Sequence, residues 1–249
     1  MDPDLPYCGP APDPHAWVTA WNLDPVLIGC LGVLALGGMW QLRAQPAPRR
    51  RAFGVAMFAA VLAFVSPLCA MSVALFSART LHHLVVIAVL APALALAFPL
   101  RRSPQVLAVL AVSAALWLWH LPVVYSAAWD NAAVYWALQL ALIVPGWAFW
   151  STVLGQGAGR VAGAVGLVSL VGQMGMLGAL LTFAPRAFYV EHLAHAPRFG
   201  VSALQDQQLA GLIMWVPGMV PLAVLAAIMT WQALGQAPEQ TLGQGGRRA

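Results

Sequence analysis

Six histidines, three cysteines, nine methionines and a few polar residues set against long apolar runs are the groups with which this chain could do chemistry. The richest stretch is Arg79-Thr80-Leu81-His82-His83. On a helix Arg79 and His83, four residues apart, share one face, while His82 points about 100° away. Only one of the adjacent histidines then meets a given neighbour, and His82 reads as a polar residue at the headgroup level. A second stretch, Trp117-Leu118-Trp119-His120-Leu121-Pro122, combines an aromatic belt with a helix stop, and His120 is the residue neither feature requires. Imidazoles from neighbouring helices suit copper, zinc or iron. His83 and His120 would supply two ligands. Cys69 and Met71, soft donors suited to Cu(I), or the pair His192 and His195 are the candidates to complete the site. Plain packing is the readier account of the methionines, since nine of them in so apolar a chain need no copper. A third stretch, Asp206-Gln207-Gln208, stands directly before a very apolar run. Asp206 suits the positive end of that helix as a cap, and Gln207 and Gln208 project into the headgroup zone. The same cluster could hydrogen-bond a histidine from behind. No GxSxG, GxxxxGK[ST] or HExxH occurs, so hydrolase and phosphate-loop signatures are missing.

The elements that must position these groups follow from composition. Of 249 residues 61% are hydrophobic and 8% charged, and the mean hydropathy is +0.78. That leaves too little polar surface to coat a water-facing domain. A hydrocarbon core of about 30 Å needs ~20 apolar residues per helical crossing. Seven such stretches lie near 25–42, 52–72, 81–100, 104–121, 132–153, 161–183 and 208–233. The expected fold is therefore an all-α bundle of seven transmembrane helices over residues 25–233. A polar, Pro-rich segment 1–24 precedes it, and a Gly- and Gln-rich tail 234–249, read as flexible, follows. Segment 1–24 lacks a basic start and a short apolar core, so no cleavable signal peptide is expected. Ser66 and Pro67 predict a kink or an early exit near the end of the second helix. Residues 184–207 form the longest connection on the histidine side and could cap that face.

The twelve basic residues are all arginine and lie in short turns rather than along one amphipathic face, which gives nucleic-acid binding little support. They set the topology instead, because cytoplasmic loops hold the excess of arginine. With the N-terminus outside, Arg43, Arg49, Arg50, Arg51, Arg101, Arg102, Arg160, Arg247 and Arg248 fall inside and Arg79, Arg186 and Arg198 outside. The same placement sends all six histidines, His15, His82, His83, His120, His192 and His195, outward. Cys8, Cys30 and Cys69 have no metal-type spacing, and an odd number cannot be fully paired within the chain.

Taken in order, Ser66-Pro67-Leu68, Leu75-Phe76-Ser77-Ala78, His83-Leu84, Pro92 and Pro99, Trp119-His120-Leu121-Pro122, Phe149-Trp150, Asp206-Gln207-Gln208-Leu209-Ala210-Gly211 and Met214-Trp215 resemble the bacterial CtaG family of caa(3)-type cytochrome c oxidase assembly factors. The likeness covers roughly residues 54–230. Its most specific part is the Asp-Gln-Gln-x-x-Gly segment opening a helix that contains Met-Trp. The resemblance implies a seven-helix protein of the bacterial plasma membrane that matures a haem-copper oxidase and helps deliver copper on the outer side. Its partners would be oxidase subunits or other assembly factors. The family usually carries a histidine where this chain has Arg79, and histidines where it has Tyr135 and Gln139. Positions 135 and 139 share a helix face, as 79 and 83 do, so those histidines would converge with His120.

The resulting expectation is a non-enzymatic assembly factor, multi-pass, with its N-terminus outside and C-terminus cytoplasmic. It would handle copper at an outer pocket of the third, fourth, fifth and seventh helices. His83 and His120 are the expected ligands, and Asp206, Gln207, Tyr135 and Gln139 the groups behind them. Arg79 is always cationic and does not ligate copper; it is expected to recognise an anion such as a haem propionate or a lipid headgroup. Two other readings stand beside this one. A metal-free scaffold docking oxidase subunits or a haem-bearing partner would use the same surface. A transporter would need polar groups deep in the bilayer, for which only Gln139 and Gln173 offer themselves.

Overall fold

A computed structural model describes residues 6–100, 104–155 and 159–245, with side chains as far as residue 235. Of the arginines that set the topology, Arg101, Arg102, Arg247 and Arg248 lie outside the described residues, as does the tail beyond Gly245. The described residues are helical with no strand. The helices are α1 Pro25–Leu42, α2 Ala47–Phe64, α3 Pro67–Ala74, α4 Phe76–Val85 and α5 Ala91–Ala97, then α6 Gln105–Trp119, α7 Pro122–Asp130, α8 Ala132–Leu154, α9 Arg160–Thr182, α10 Ala203–Trp215 and α11 Val220–Gly245. A π-helical turn, Val86–Leu90, joins α4 to α5, so Phe76–Ala97 is one span. Among the described residues five helices are long and apolar enough to cross a membrane, and the number rises to seven when each of two bent pairs counts as one span. This is the all-α polytopic membrane architecture expected from the hydropathy pattern. Large apolar side chains such as Val33, Leu36, Leu107 and Val161 cover the outside of the bundle, where lipid replaces water.

Prolines mark the breaks. Ser66 caps α3 by accepting from the Leu68 amide at 3.2 Å, Pro67 starts it, and the pair α2 and α3 bends by 41° as Ser66-Pro67 predicts. Pro122 starts α7, which turns 75° from α6 and lies across the end of the bundle rather than extending the fourth span. The expected boundaries shift accordingly. The third span starts at Phe76 instead of residue 81, the seventh starts at Ala203 instead of residue 208, and α11 runs on to Gly245. Asp24 caps α1, Asn131 caps α8, and Ser202 with Gln205 forms a capping box on α10.

The π turn has an identifiable cause. Within it the carbonyl of Ile87 would accept from residue 92, but Pro92 has no N–H. The indole of Trp150 on α8 donates to that carbonyl at 2.7 Å. Trp150→Phe leaves a buried acceptor unsatisfied and is expected to cost about 1–3 kcal/mol. Thermal unfolding of the detergent-solubilised protein measures it, and an unchanged melting temperature overturns the assignment.

The spans pack α4 on α10, α2 on α5, α8 on both α5 and α6, and α9 on α10 and α11. The α9 and α10 crossing is close because Gly178 and Gly211 face one another. A Cβ on Gly211 would lie 2.5 Å from the Gly178 carbonyl oxygen. Gly211 therefore seats α10 deep enough to present Asp206 and Gln207 to the bundle interior.

At the histidine end, the segment before α1 lies as a strap across the helices. Asn22 donates to the Phe64 carbonyl at 3.1 Å, and the Tyr7 hydroxyl donates to Asp24 at 2.8 Å. Burial and the Asp24 carboxylate push the Tyr7 hydroxyl pKa up, so it remains a neutral donor. Cys8 and Cys69, 61 residues apart, are joined in a disulfide that fastens the strap to α3. Cys30 is free and exposed.

Candidate functional site

The site is built on the first turns of α4. Leu75 is extended and breaks the chain between α3 and α4, leaving the first amides of α4 without a cap from their own helix. Asp206 supplies it from α10, accepting from the Phe76 amide at 2.6 Å, the Ser77 amide at 3.2 Å and the Ser77 hydroxyl at 2.5 Å. Asp206 thus caps a neighbouring helix, whereas the sequence suggested its own helix or a histidine. Gln207 is buried rather than projecting into the headgroup zone. It accepts from the Phe188 amide at 2.7 Å and donates to the Arg186 carbonyl at 3.3 Å, which anchors the loop between α9 and α10.

With α4 so placed, one turn further in, Arg79 points into the bundle and is 4% exposed. Its guanidinium carbon lies 5.5 Å from the Tyr135 ring centre, 5.9 Å from Trp119 and 6.0 Å from Tyr125. Its Nε and Nη1 have no hydrogen-bond partner among the described residues. The only ion pair among the described residues is Arg198 with Asp13 at 3.6 Å, so no carboxylate neutralises Arg79 there. Three ring faces return only about 0.5–2 kcal/mol each against the cost of a buried charge. Eight of the ten buried side-chain polar atoms without partners belong to Arg79, Thr80, His82, His83 and Gln139. Most of the unsatisfied polarity of the described residues thus belongs to the 79–83 stretch of α4 and to Gln139. A small cavity of about 10 Å³, lined by Pro6, Tyr7, Cys8, Arg79, Trp119 and Tyr135 among others, adjoins the guanidinium.

The histidines divide. The His83 ring lies 4.5 Å from the Trp119 ring, and its Nε2 is unpartnered. His82 is fully buried, edge-on to Phe64 at 5.1 Å, instead of at the headgroup level, because its face of α4 packs against α2. His120 ends α6 and shares its Nδ1 with the Leu116 carbonyl at 2.7 Å. His192, from the capping loop, is buried between two bonds: Nδ1 to the Ala74 carbonyl at 3.2 Å and Nε2 to the Tyr125 hydroxyl at 2.7 Å. A carbonyl can only accept, so Nδ1 carries the proton and Tyr125 donates to Nε2. The same loop sends Tyr189 onto Phe76, with ring centres 3.9 Å apart, and its hydroxyl to the His120 carbonyl at 3.1 Å. His195 stacks on Trp129 at 6.3 Å, and His15 is exposed.

Burial holds the His192 pKa down to about 3, against about 6.5 when unfolded. Below pH 6.5 the unfolded chain takes up the proton and the folded one does not, so stability falls as pH drops towards 3. The slope is roughly 1.4 kcal/mol per pH unit. Melting at pH 5 is expected about 2 kcal/mol below melting at pH 7, and His192→Gln flattens that difference. Equal slopes in the two proteins overturn the assignment.

The proposed soft donors are elsewhere or engaged. Cys69 is half of the cystine with Cys8, so its sulfur is not the thiolate the copper expectation required. Met71 lines an apolar groove with Trp17, Trp21, Leu81 and Val85 on another face of α3. Among the described residues no group of three His, Cys, Asp or Glu side chains is placed to hold a metal ion together. Tyr135 stacks on Tyr7 of the strap at 5.1 Å, and Gln139 is fully buried with both amide atoms unpartnered. Gln173, the other deep amide, accepts from the Trp117 indole at 2.7 Å. The disulfide, Tyr7, Tyr125 and Tyr189 were not legible as site residues. They come from segments distant in sequence, and no motif links them.

No curated protein and no solved structure matches the chain. A family model does match residues 33–236, most of the chain, and takes in Arg79, His83, His120 and the Asp206 motif. The chain belongs to the family of cytochrome c oxidase caa3 assembly factors.

Proposed function

We propose that this chain serves oxidase assembly as a non-catalytic scaffold in the bacterial plasma membrane, docking an oxidase subunit or a haem-bearing partner at its histidine end. The observation that carries the reading is Arg79, a buried guanidinium without a counter-ion among the described residues, at the focus of α4, α6, α7 and α8. A cation there opposes a copper ion and favours an anion. The outer side is supported for this end by the arginine distribution and by the Cys8–Cys69 disulfide, which belongs in an oxidising compartment. Copper handling through His83 and His120 is the second reading, favoured by the buried, partnerless Nε2 of His83.

Deleting the gene and measuring oxidase activity with and without added copper separates the two. The scaffold reading expects no rescue by copper, restoration by the wild-type chain and by His120→Ala, and no restoration by Arg79→Met. Rescue by copper, together with copper held by the purified protein and lost in His83→Ala and His120→Ala, establishes the second reading instead.

A further inference from the structure

We propose that Arg79, with the rings of Trp119, Tyr125 and Tyr135 around it, is a binding site for a single carboxylate, and that the Cys8–Cys69 disulfide holds it shut by tying Pro6, Tyr7 and Cys8 across its mouth. The inference rests on the docking role of Arg79 proposed above and adds the ligand class and the gate.

The ligand class follows from the cradle. Arg79 offers unpartnered N–H donors at Nε and at Nη1, on different edges of the guanidinium, and either can give a charge-assisted bond to a carboxylate oxygen. Aromatic faces flank the guanidinium at 5.5–6.0 Å, leaving a slot suited to a flat group of one charge. A phosphate dianion would bring a second charge into a site with a single cation. The gate follows from what fills the slot. Tyr7 stacks on Tyr135 at 5.1 Å and meets Trp136 edge-on at 5.1 Å, and the Cys8 sulfur lies 3.7 Å from the Tyr135 hydroxyl. The remaining cavity of about 10 Å³ has room for a water and none for a carboxylate. Entry requires the strap to lift.

Cys69 is fully buried and Cys8 is 6% exposed, so a reductant must approach from the Cys8 side. Cys8 also lines a separate open cleft of about 870 Å³ between the strap and the start of α8. A dithiol attacking from that cleft breaks the Cys8–Cys69 bond and forms a mixed disulfide. Its second thiol then resolves this, so that Cys8 and Cys69 leave as two thiols and the dithiol becomes a disulfide. Two electrons and two protons pass to the chain. The strap then keeps only its stacking and the bond from Tyr7 to Asp24.

The test uses the full-length protein in nanodiscs, oxidised or treated with dithiothreitol, titrated with benzoate and with a porphyrin dicarboxylate. Benzamide and the porphyrin dimethyl ester are the neutral controls, and tryptophan fluorescence is the readout. The dithiol-treated chain should bind a carboxylate at least tenfold more tightly than the oxidised chain. Cys8→Ser with Cys69→Ser should bind it without dithiothreitol, and Arg79→Met should lose it. Benzoate binding assigns a free carboxylate, and binding of the porphyrin diacid alone assigns one carried on a haem-like ring. Equal binding of the neutral controls, or undiminished binding by Arg79→Met, overturns the carboxylate site. Equal binding by oxidised and reduced wild type overturns the gate. Carboxylate binding without any effect of Arg79→Met on oxidase maturation leaves the site standing and removes the docking role instead.

Discussion

Asp206→Ala is expected to lower stability by about 3 kcal/mol or more, because it strips the N-terminus of α4 of its cap. The Phe76 and Ser77 amides and the Ser77 hydroxyl all donate to that one buried carboxylate inside the bundle. Orphaned donors at a buried helix end cost their full desolvation. The fall in melting temperature should be on the order of 10 °C, read by tryptophan fluorescence in detergent. Asp206→Asn keeps one acceptor oxygen but turns an amide group towards donors, so it should fall between wild type and Asp206→Ala. Ser77→Ala removes one bond and should cost about 1 kcal/mol. A melting temperature for Asp206→Ala within a degree of wild type means that the capping of α4 contributes nothing. If the cap also sets the depth of Arg79, oxidase maturation should fail in Asp206→Ala even at temperatures where the protein stays folded.

The contrast between Asp206 and Arg79 shows what could be read from sequence. Hydropathy identified the spans because a lipid-facing helix must satisfy its own backbone and carry apolar side chains, a requirement local to some twenty residues. The histidines, Arg79 and the Asp206 motif were also visible, since ionisable groups beside such apolar runs stand out. Partnership was not visible. Asp206 at the start of a helix looks like a cap for that helix, yet Ser202 and Gln205 already fill the role, and the freed carboxylate reaches α4 across 130 residues. His82 looked interfacial because the third span was placed five residues late. Starting at Phe76, the helix carries His82 inward against Phe64. The cystine between Cys8 and Cys69 depends on the strap folding back over α3, and three cysteines without a spacing pattern carry no sign of that. Its consequence for the candidate site is large, since it turns a possible soft donor into a fastener.

Arg79→Met is expected to raise stability while abolishing oxidase maturation. The wild-type side chain holds a full charge at 4% exposure, with its Nε and Nη1 nitrogens unpartnered and no carboxylate among the described residues to offset it. Replacing a poorly compensated buried charge by an apolar side chain of similar length stabilises by about 1–4 kcal/mol. Against this stands the loss of contacts with Trp119, Tyr125 and Tyr135, about 0.5–2 kcal/mol apiece at best. Methionine keeps much of that packing, because its thioether also lies well on aromatic rings. The net sign should favour the variant, and the melting temperature should rise by several degrees. Arg79→Lys retains the charge without the planar fork and should melt at or below wild type. A fall in melting temperature for Arg79→Met makes the guanidinium a structural element of the bundle, held there by its rings. A rise combined with lost maturation means the chain retains a destabilising residue for what it binds, as strained and unsatisfied groups at functional sites do.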